Sequence, residues 1–465
     1  MILVRRLLVI FYAACLVTLP LVGVGVLKLT TGRDWGGGLQ PAWVLMAAVW
    51  GLALALRSVP RGGREGRAGF FSPPRILWFW FGAVLLSGLG LVLARAPVEL
   101  AEAWWRFGKQ IIQLIIMLAF ALWAARWTSQ RERWVWTSRL IVIAALLQAA
   151  YGAVQYGNHA VPAGWFKSLD AVFTSNPAIL SGSQDLYVDN AMLEVGRLRG
   201  TMCEPLYLGN FLLLALPLVG LTRWRRWLRG LAASVLTLLL ILTWSRGAWL
   251  AGGCSLVVGG VLHRRVRGKG FGWEGRGARW LWVVLFLMVV VVATLLAQHG
   301  PGLLGRRLIQ SFSTSDWSNL TRWYSTQAAW RAFLLSPLVG VGWGQFGWHF
   351  PVLVAPLGLQ SQFTWPVVNN FYLEILCETG VVGLAAFAVF LGTLVRGLLA
   401  RLGDRELDSE QAAVLVLVGM AFAGVWGQML TFSQYNLPHI WLTLGLLWAA
   451  SRAPEPKADG GGMPR

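Results

Sequence analysis

Long apolar runs, broken by short arginine-rich segments, set the pattern of this chain. A helix that crosses a bilayer needs about 20 mostly apolar residues. Runs of that kind fall at roughly 7–28, 42–57, 76–95, 108–126, 139–157 and 205–222, and again at 229–245, 247–262, 280–298, 370–394, 411–433 and 437–452. The pattern predicts an all-α polytopic membrane protein with about twelve transmembrane helices and two long outside loops. Its parts are a five-helix N-terminal portion (1–157), a loop (158–204), helices six to nine (205–298), a larger loop (299–369), helices ten to twelve (370–452) and a polar, disordered tail (453–465).

The polar positions assign the sides. With the N-terminal MILVRR inside, the inside segments are 1–6, 57–75, 126–139, 222–229, 263–279, 395–410 and the tail, and they hold most of the 40 Lys and Arg residues. That agrees with the tendency of short cytoplasmic loops to be basic, and it places both termini inside. The run from Gly230 to Leu262 has one charged residue, Arg246. An arginine at the centre of a bilayer costs about 2.5–3.5 kcal/mol on insertion scales, so it persists where it faces a cavity, an interface or a partner. Basic clusters flank the run on both sides (RWRRWLR and HRRVRGKG), so it must cross twice, with Ser245-Arg246-Gly247 as the turn. Arg246 then lies at the outer rim, as a snorkelling anchor or as a site residue.

Composition narrows the class further. The 465 residues are 56% hydrophobic and 13% charged, with 28 tryptophans and a mean hydropathy of +0.59. A net charge of +20 would suit nucleic acid, but the excess lies in juxtamembrane loops, where topology and anionic headgroups explain it. Cys15, Cys203, Cys254 and Cys377 are scattered, with no spacing that suggests a disulfide framework or a zinc site. The start resembles a signal peptide, but eleven further spans favour an uncleaved first helix. Gly342-Trp-Gly344-Gln-Phe-Gly347 satisfies GxGxxG without a preceding strand, so no dinucleotide site is expected. The small residues of GLAASV and AGGCSLVVGG suit close helix packing.

Function is expected in the outside loops. The first carries Asp170, Asp185, Asp189 and Glu194 and ends in GRLRGTMCEPLYLG; the second carries Arg306, Arg307, Arg322 and Arg331 with a single acid, Asp316, and many aromatics, a composition that suits a helix lying at the interface. Guanidinium groups keep their charge and match phosphate oxygens in a fixed fork. Arg197, Arg246 and Arg322 could therefore meet on one polyanion, such as the pyrophosphate of a lipid carrier.

Four stretches in order carry a family resemblance: Arg197-x-x-Gly200-Thr201 with Glu204-Pro205; Thr243-Trp244-Ser245-Arg246-Gly247; Arg322 followed by SPLVGVGWGQF; and Asn369-Asn370-x9-Gly380-x-x-Gly383. Across roughly 197–385 the chain resembles the superfamily of O-antigen ligases and Wzy-type O-antigen or exopolysaccharide polymerases, and upstream it is similar only in hydrophobic pattern. The resemblance implies a metal-independent glycosyltransferase of the GT-C class in a bacterial inner membrane, without a cofactor. It implies action on undecaprenyl-diphosphate-linked glycans at the periplasmic face, with a chain-length regulator or other polysaccharide-assembly proteins as partners. The diphosphate-binding role of the family's arginines falls on Arg197, Arg246 and Arg322, with Arg199, Ser245 and Asn370 as further substrate contacts. Ligases of the superfamily have histidine where this chain has Asn369, and an amide cannot take a hydroxyl proton at neutral pH. Polymerase is therefore the first reading and ligase the alternative. Candidate bases are Glu204, His349 and Glu378, with a structural role favoured for Glu378 because it lies two to three helical turns from the motif's start. A flippase or transporter would also use arginines on diphosphate. No internal repeat supports it, and the arginines lie at the rim rather than mid-bilayer.

Overall fold

The computed structural model describes residues 2–25, 30–32, 39–58, 75–161, 164–173, 189–190, 195–266, 317–357, 367–404 and 406–452. The first half supplies α1 (Ile2–Val17), α2 (Pro41–Ser58), α3 (Arg75–Leu86, prolonged by one turn each of 3-10 and α helix to Leu93), α4 (Leu100–Trp127), α5 (Arg131–Ala160) and the short α6 (Gly164–Phe173). A two-residue antiparallel ladder, Asp189–Asn190 with Val195–Gly196, precedes α7 (Pro205–Leu218), α8 (Arg226–Leu242) and α9 (Arg246–Arg265). The rest is α10 (Trp317–Leu335), α11 (Phe346–Val354), α12 (Phe371–Leu402), α13 (Ser409–Gln428) and α14 (Pro438–Ala450).

The chain is an all-α membrane protein. Among the described residues, five helices are long and apolar enough to cross a bilayer: 75–93, α4, the 131–158 part of α5, α12 and α13. Three shorter apolar helices lie at 41–56, 205–221 and 438–450. The expected count of about twelve spans is not reached by this measure, because α1, α8 and α9 fall short in length or hydropathy, and the run at 280–298 lies outside the described residues. The two expected loops are partly helical. The first holds α6 and the second holds α10 and α11, so the wide gaps between spans mark built structure.

Small residues let the inner helices approach closely. Ser255 of α9 donates its hydroxyl to the Met420 carbonyl of α13 at 2.8 Å, and a Cβ on Gly259 would meet the Met420 sulfur at 2.5 Å. α7 is buried along most of its length. Its one interior amide, Asn210, is satisfied by Val425 O (3.1 Å), Gln428 Oε1 (3.1 Å) and His439 Nε2 (2.9 Å). Buried polar groups persist when paired in this way, and this network ties α7, α13 and α14 together.

Candidate active site

The turn predicted around Arg246 is present. α8 ends at Leu242 and α9 begins at Arg246, with Trp244 held at φ +50° between them. Thr243 secures the turn: its hydroxyl donates to Leu240 O at 2.7 Å and accepts from Ser245 N at 3.3 Å. Gly247 follows because a Cβ there would lie 2.3 Å from the Thr431 hydroxyl. Arg246 occupies the first turn of α9, while His263, Arg264 and Arg265 close its last turn. At 1.5 Å per residue these ends are about 30 Å apart. Arg246 is therefore at the far end of α9 from that basic cluster, as the parity of the loops predicts.

The first motif docks on this turn. Arg197 Nε donates to Thr243 O at 3.2 Å, and Leu198 N donates to Leu242 O at 3.0 Å. The next residues are fixed by two glutamines of α5. Gln155 exchanges hydrogen bonds with both backbone groups of Gly200 (2.9 and 3.0 Å), and Gln148 Oε1 accepts from Thr201 N at 2.8 Å and from its hydroxyl at 3.0 Å. Gly200 has φ +63°, and a Cβ there would lie 2.4 Å from Gln148 Oε1, so this turn requires glycine.

α10 joins the other motifs. Arg246 Nη2 donates to Asn319 Oδ1 at 3.3 Å. Arg322, three residues on, acts electrostatically on Glu204 together with Arg197. Ser325, three further, receives a long contact from Asn369 Nδ2 at 3.5 Å and donates to Val368 O at 2.8 Å. Residues three apart share a helix face. Asn319, Arg322 and Ser325 thus carry the second, first and fourth motifs along one edge of α10.

Glu204 stands at the N-cap position of α7 ahead of Pro205 without making a side-chain cap bond, and the helix dipole there favours a carboxylate. Burial raises its pKa above the usual 4.5, while Arg197, the Tyr207 hydroxyl and Arg322 draw it back down. The Tyr207 hydroxyl donates to Glu204 Oε1 at 3.4 Å. Ser245, at the N-cap of α9, makes no side-chain cap. The start of α9 therefore presents backbone donors beside Arg246, a ready setting for an anion.

Other predicted site residues have different commitments. Arg199 is fully buried and ion-paired with Asp170, and its Nη1 donates to Met202 O at 3.0 Å. Asn370 caps α12, accepting from Leu373 N at 3.1 Å. His349 is buried in α11, where desolvation lowers its pKa to about 4 and leaves it neutral near pH 7. Glu378 is a loop anchor: its carboxylate accepts Gly344 N at 2.7 Å and Phe346 N at 3.0 Å.

That anchor belongs to a break in α12. Gly380 adopts φ +66° and ψ −170°, freeing backbone groups on both sides. The glycine-rich loop takes them up: Val341 N and Gly342 N donate to Cys377 O and Glu378 O (2.9 and 3.0 Å), and Val381 N and Val382 N donate to Pro337 O and Leu338 O (2.9 and 3.3 Å). Arg106 of α4 adds a bond from Nε to Gly344 O at 2.7 Å. The loop that holds the GxGxxG pattern is thus the partner of a broken helix, and Gly340, just ahead of the pattern, permits close backbone approach. A Cβ on Gly340 would lie 2.2 Å from the Glu378 carbonyl carbon.

Sequence reasoning missed Asn319, Ser325, Tyr207, Gln148, Gln155 and Arg106. The spacing of Asn319, Arg322 and Ser325 becomes visible once 317–335 is taken as a helix rather than a loop. Among the described residues, no group of three His, Cys, Asp or Glu could hold a metal ion.

An all-α membrane protein with Arg197 docked on the turn before Arg246, and with Arg197 and Arg322 acting on Glu204, defines the class. Residues 231–388 match the family model of the O-antigen ligases, which bears out the resemblance to the O-antigen ligase and Wzy superfamily. The matched segment runs from α8 past the break in α12 and includes Arg246, Arg322, Asn369 and Gly380; Arg197 and Glu204 lie upstream of it. No curated protein matches the sequence. The family match supports a membrane glycan-processing enzyme of the ligase or polymerase kind.

Proposed function

We propose that this protein is a metal-independent glycosyltransferase of the GT-C class that polymerises surface polysaccharide from undecaprenyl-diphosphate-linked oligosaccharide. It would act at the periplasmic face of a bacterial inner membrane, with both termini cytoplasmic. The carrying observation is the meeting of four motifs at one place: Arg246 on Asn319, Arg197 on the turn before Arg246, Arg197 and Arg322 on Glu204, and Asn369 on Ser325. In the proposed step, the acceptor hydroxyl oxygen bonds to the anomeric carbon of the donor. The anomeric carbon–oxygen bond breaks, the diphosphate leaves with the bonding electrons, and Glu204 takes the hydroxyl proton. Leaving-group charge then develops beside fixed cations and the start of α9, an arrangement that lowers the barrier.

Donor binding also prepares the base. Once diphosphate neutralises Arg197 and Arg322, they no longer hold the Glu204 pKa down, and the carboxylate becomes a better proton acceptor. The alternative is ligation to lipid A-core, favoured by the description of the matching family. Asn369 speaks against it, since its amide cannot accept a proton where ligases of the superfamily have histidine. Purified protein incubated with a lipid-linked repeat unit, with and without lipid A acceptor, separates these readings. A ladder of longer lipid-linked glycans is expected. Transfer only to lipid A means ligase, and neither product returns the flippase.

A further inference from the structure

The Asp170–Arg199 pair takes no part in the proposed chemistry, yet Arg199 is 0% exposed and Asp170 4%. α6 places Phe166 and Asp170 inward while Trp165 is 60% exposed, and Val172 O of the same helix accepts Gly25 N at 3.0 Å. Asp170 accepts the Tyr151 hydroxyl of α5 at 2.7 Å as well as the Arg199 guanidinium, which itself reaches Met202 O. Burying two charges is costly, and an apolar pair of similar volume often serves stability equally well. The position of this pair gives it a second use. Arg199 stands between Arg197 and Glu204 in a segment that is also held by the carbonyls of Leu242 and Thr243, by Gln148 and Gln155, and by the carbonyl of Pro20, 3.3 Å from the Thr201 hydroxyl.

We propose that Asp170, acting through Arg199, is a positioning residue that holds Arg197 and Glu204 in register with the Arg246 turn. α6 is then a clamp for the site, although it supplies no atom to it. The inference rests on the function proposed above, and its test has one readout that does not.

Asp170→Asn alone strands a buried guanidinium and can fail to fold. The double variant Asp170→Asn/Arg199→Gln removes both charges and keeps hydrogen-bonding amides, and Asp170→Glu keeps the charge. Hydrogen exchange reads the clamp directly: the Gly200 and Thr201 amides should exchange at least about tenfold faster in the double variant, with α7 and α8 still protected. Unchanged exchange there overturns the inference whatever reaction the protein performs.

The second readout is the pH–rate profile of glycan elongation. Glu204 is faced by Arg197, Arg322 and Tyr207. Activity is lost as pH falls through the Glu204 pKa, and a displaced Arg197 lets that pKa rise, so the acid limb should move to higher pH in the double variant. The plateau rate should fall about tenfold, a change that corresponds to one lost transition-state contact. Asp170→Glu should return the limb toward wild type. Faster exchange with an unmoved limb reduces the pair to local packing and overturns the positioning role. A wild-type protein that makes no glycan product overturns the proposed function instead, and leaves the exchange result standing.

Discussion

Arg246→Ala separates a structural anchor from a diphosphate ligand, because the two roles predict opposite balances of stability and rate. In the free protein, Arg246 makes a 3.3 Å bond to Asn319, and a bond that involves a charged group contributes about 1.5–3 kcal/mol net. Against that, it is a cation in the first turn of α9, the end where the helix dipole disfavours positive charge by about 0.3–1 kcal/mol. The dipole offsets only part of that bond, so truncation should lower the unfolding temperature by no more than a few degrees. The rate should respond far more strongly. Removing one preorganised group that meets developing charge costs about 2.7–4 kcal/mol, or 10²–10³ in turnover. Arg246→Lys keeps a charge but loses the planar fork, and should recover about tenfold of that loss. The assay is elongation of a lipid-linked repeat unit by purified protein, with thermal unfolding measured on the same samples. An alanine variant that folds normally and keeps more than about a third of wild-type rate would refute the diphosphate role.

Asn319→Ala should leave the fold intact and lower elongation about tenfold, by freeing the Arg246 fork that it steadies at 3.3 Å; a rate unchanged at limiting donor would contradict this. Glu204→Gln should lower turnover by about 10²–10⁴ without weakening donor binding, since the amide keeps the shape but cannot accept the proton. In the wild type, activity should vanish as pH falls through a pKa above 4.5, because burial raises Glu204; a limb below that value, or none, counts against its role as base. Gly380→Ala should cost at least about 1–3 kcal/mol because φ +66° with ψ −170° is a conformation essentially reserved for glycine, and a Cβ would also lie 2.2 Å from Leu338 O. Gly392→Ala in the same helix meets nothing within 4 Å and should be neutral or stabilising, so equal effects at the two glycines would refute the account of the break.

The apolar runs were legible because a bilayer imposes one length and one polarity on every span. Arg246 was legible for the same reason: a lone charge between two basic clusters has few places to sit. The TWSRG turn followed from a local signal, a glycine at a helix end. Long-range partnerships left no such mark. Nothing near Asp170 in sequence announces Arg199, and nothing in the glycine-rich loop announces that its amides complete the broken α12. Glu378 illustrates the limit: residue type and spacing allowed a base or a structural acid, and the 2.7 and 3.0 Å bonds from Gly344 and Phe346 identify a loop anchor. α10 was hidden for a different reason. Its polar and aromatic residues suit a helix lying at the interface but do not mark where that helix begins and ends, so the face shared by Asn319, Arg322 and Ser325 did not show.

The central claim is that the gathered arginines bind the diphosphate that leaves when a glycosidic bond forms. The most direct measurement counts free undecaprenyl diphosphate and new glycosidic bonds in the same reaction by mass spectrometry, for wild type and Arg246→Ala. The account predicts one diphosphate lipid released per bond made by the wild type, and both products falling together in the variant. Lengthened glycan without released diphosphate lipid, or lipid-linked glycan carried across a bilayer with its length unchanged, would contradict it.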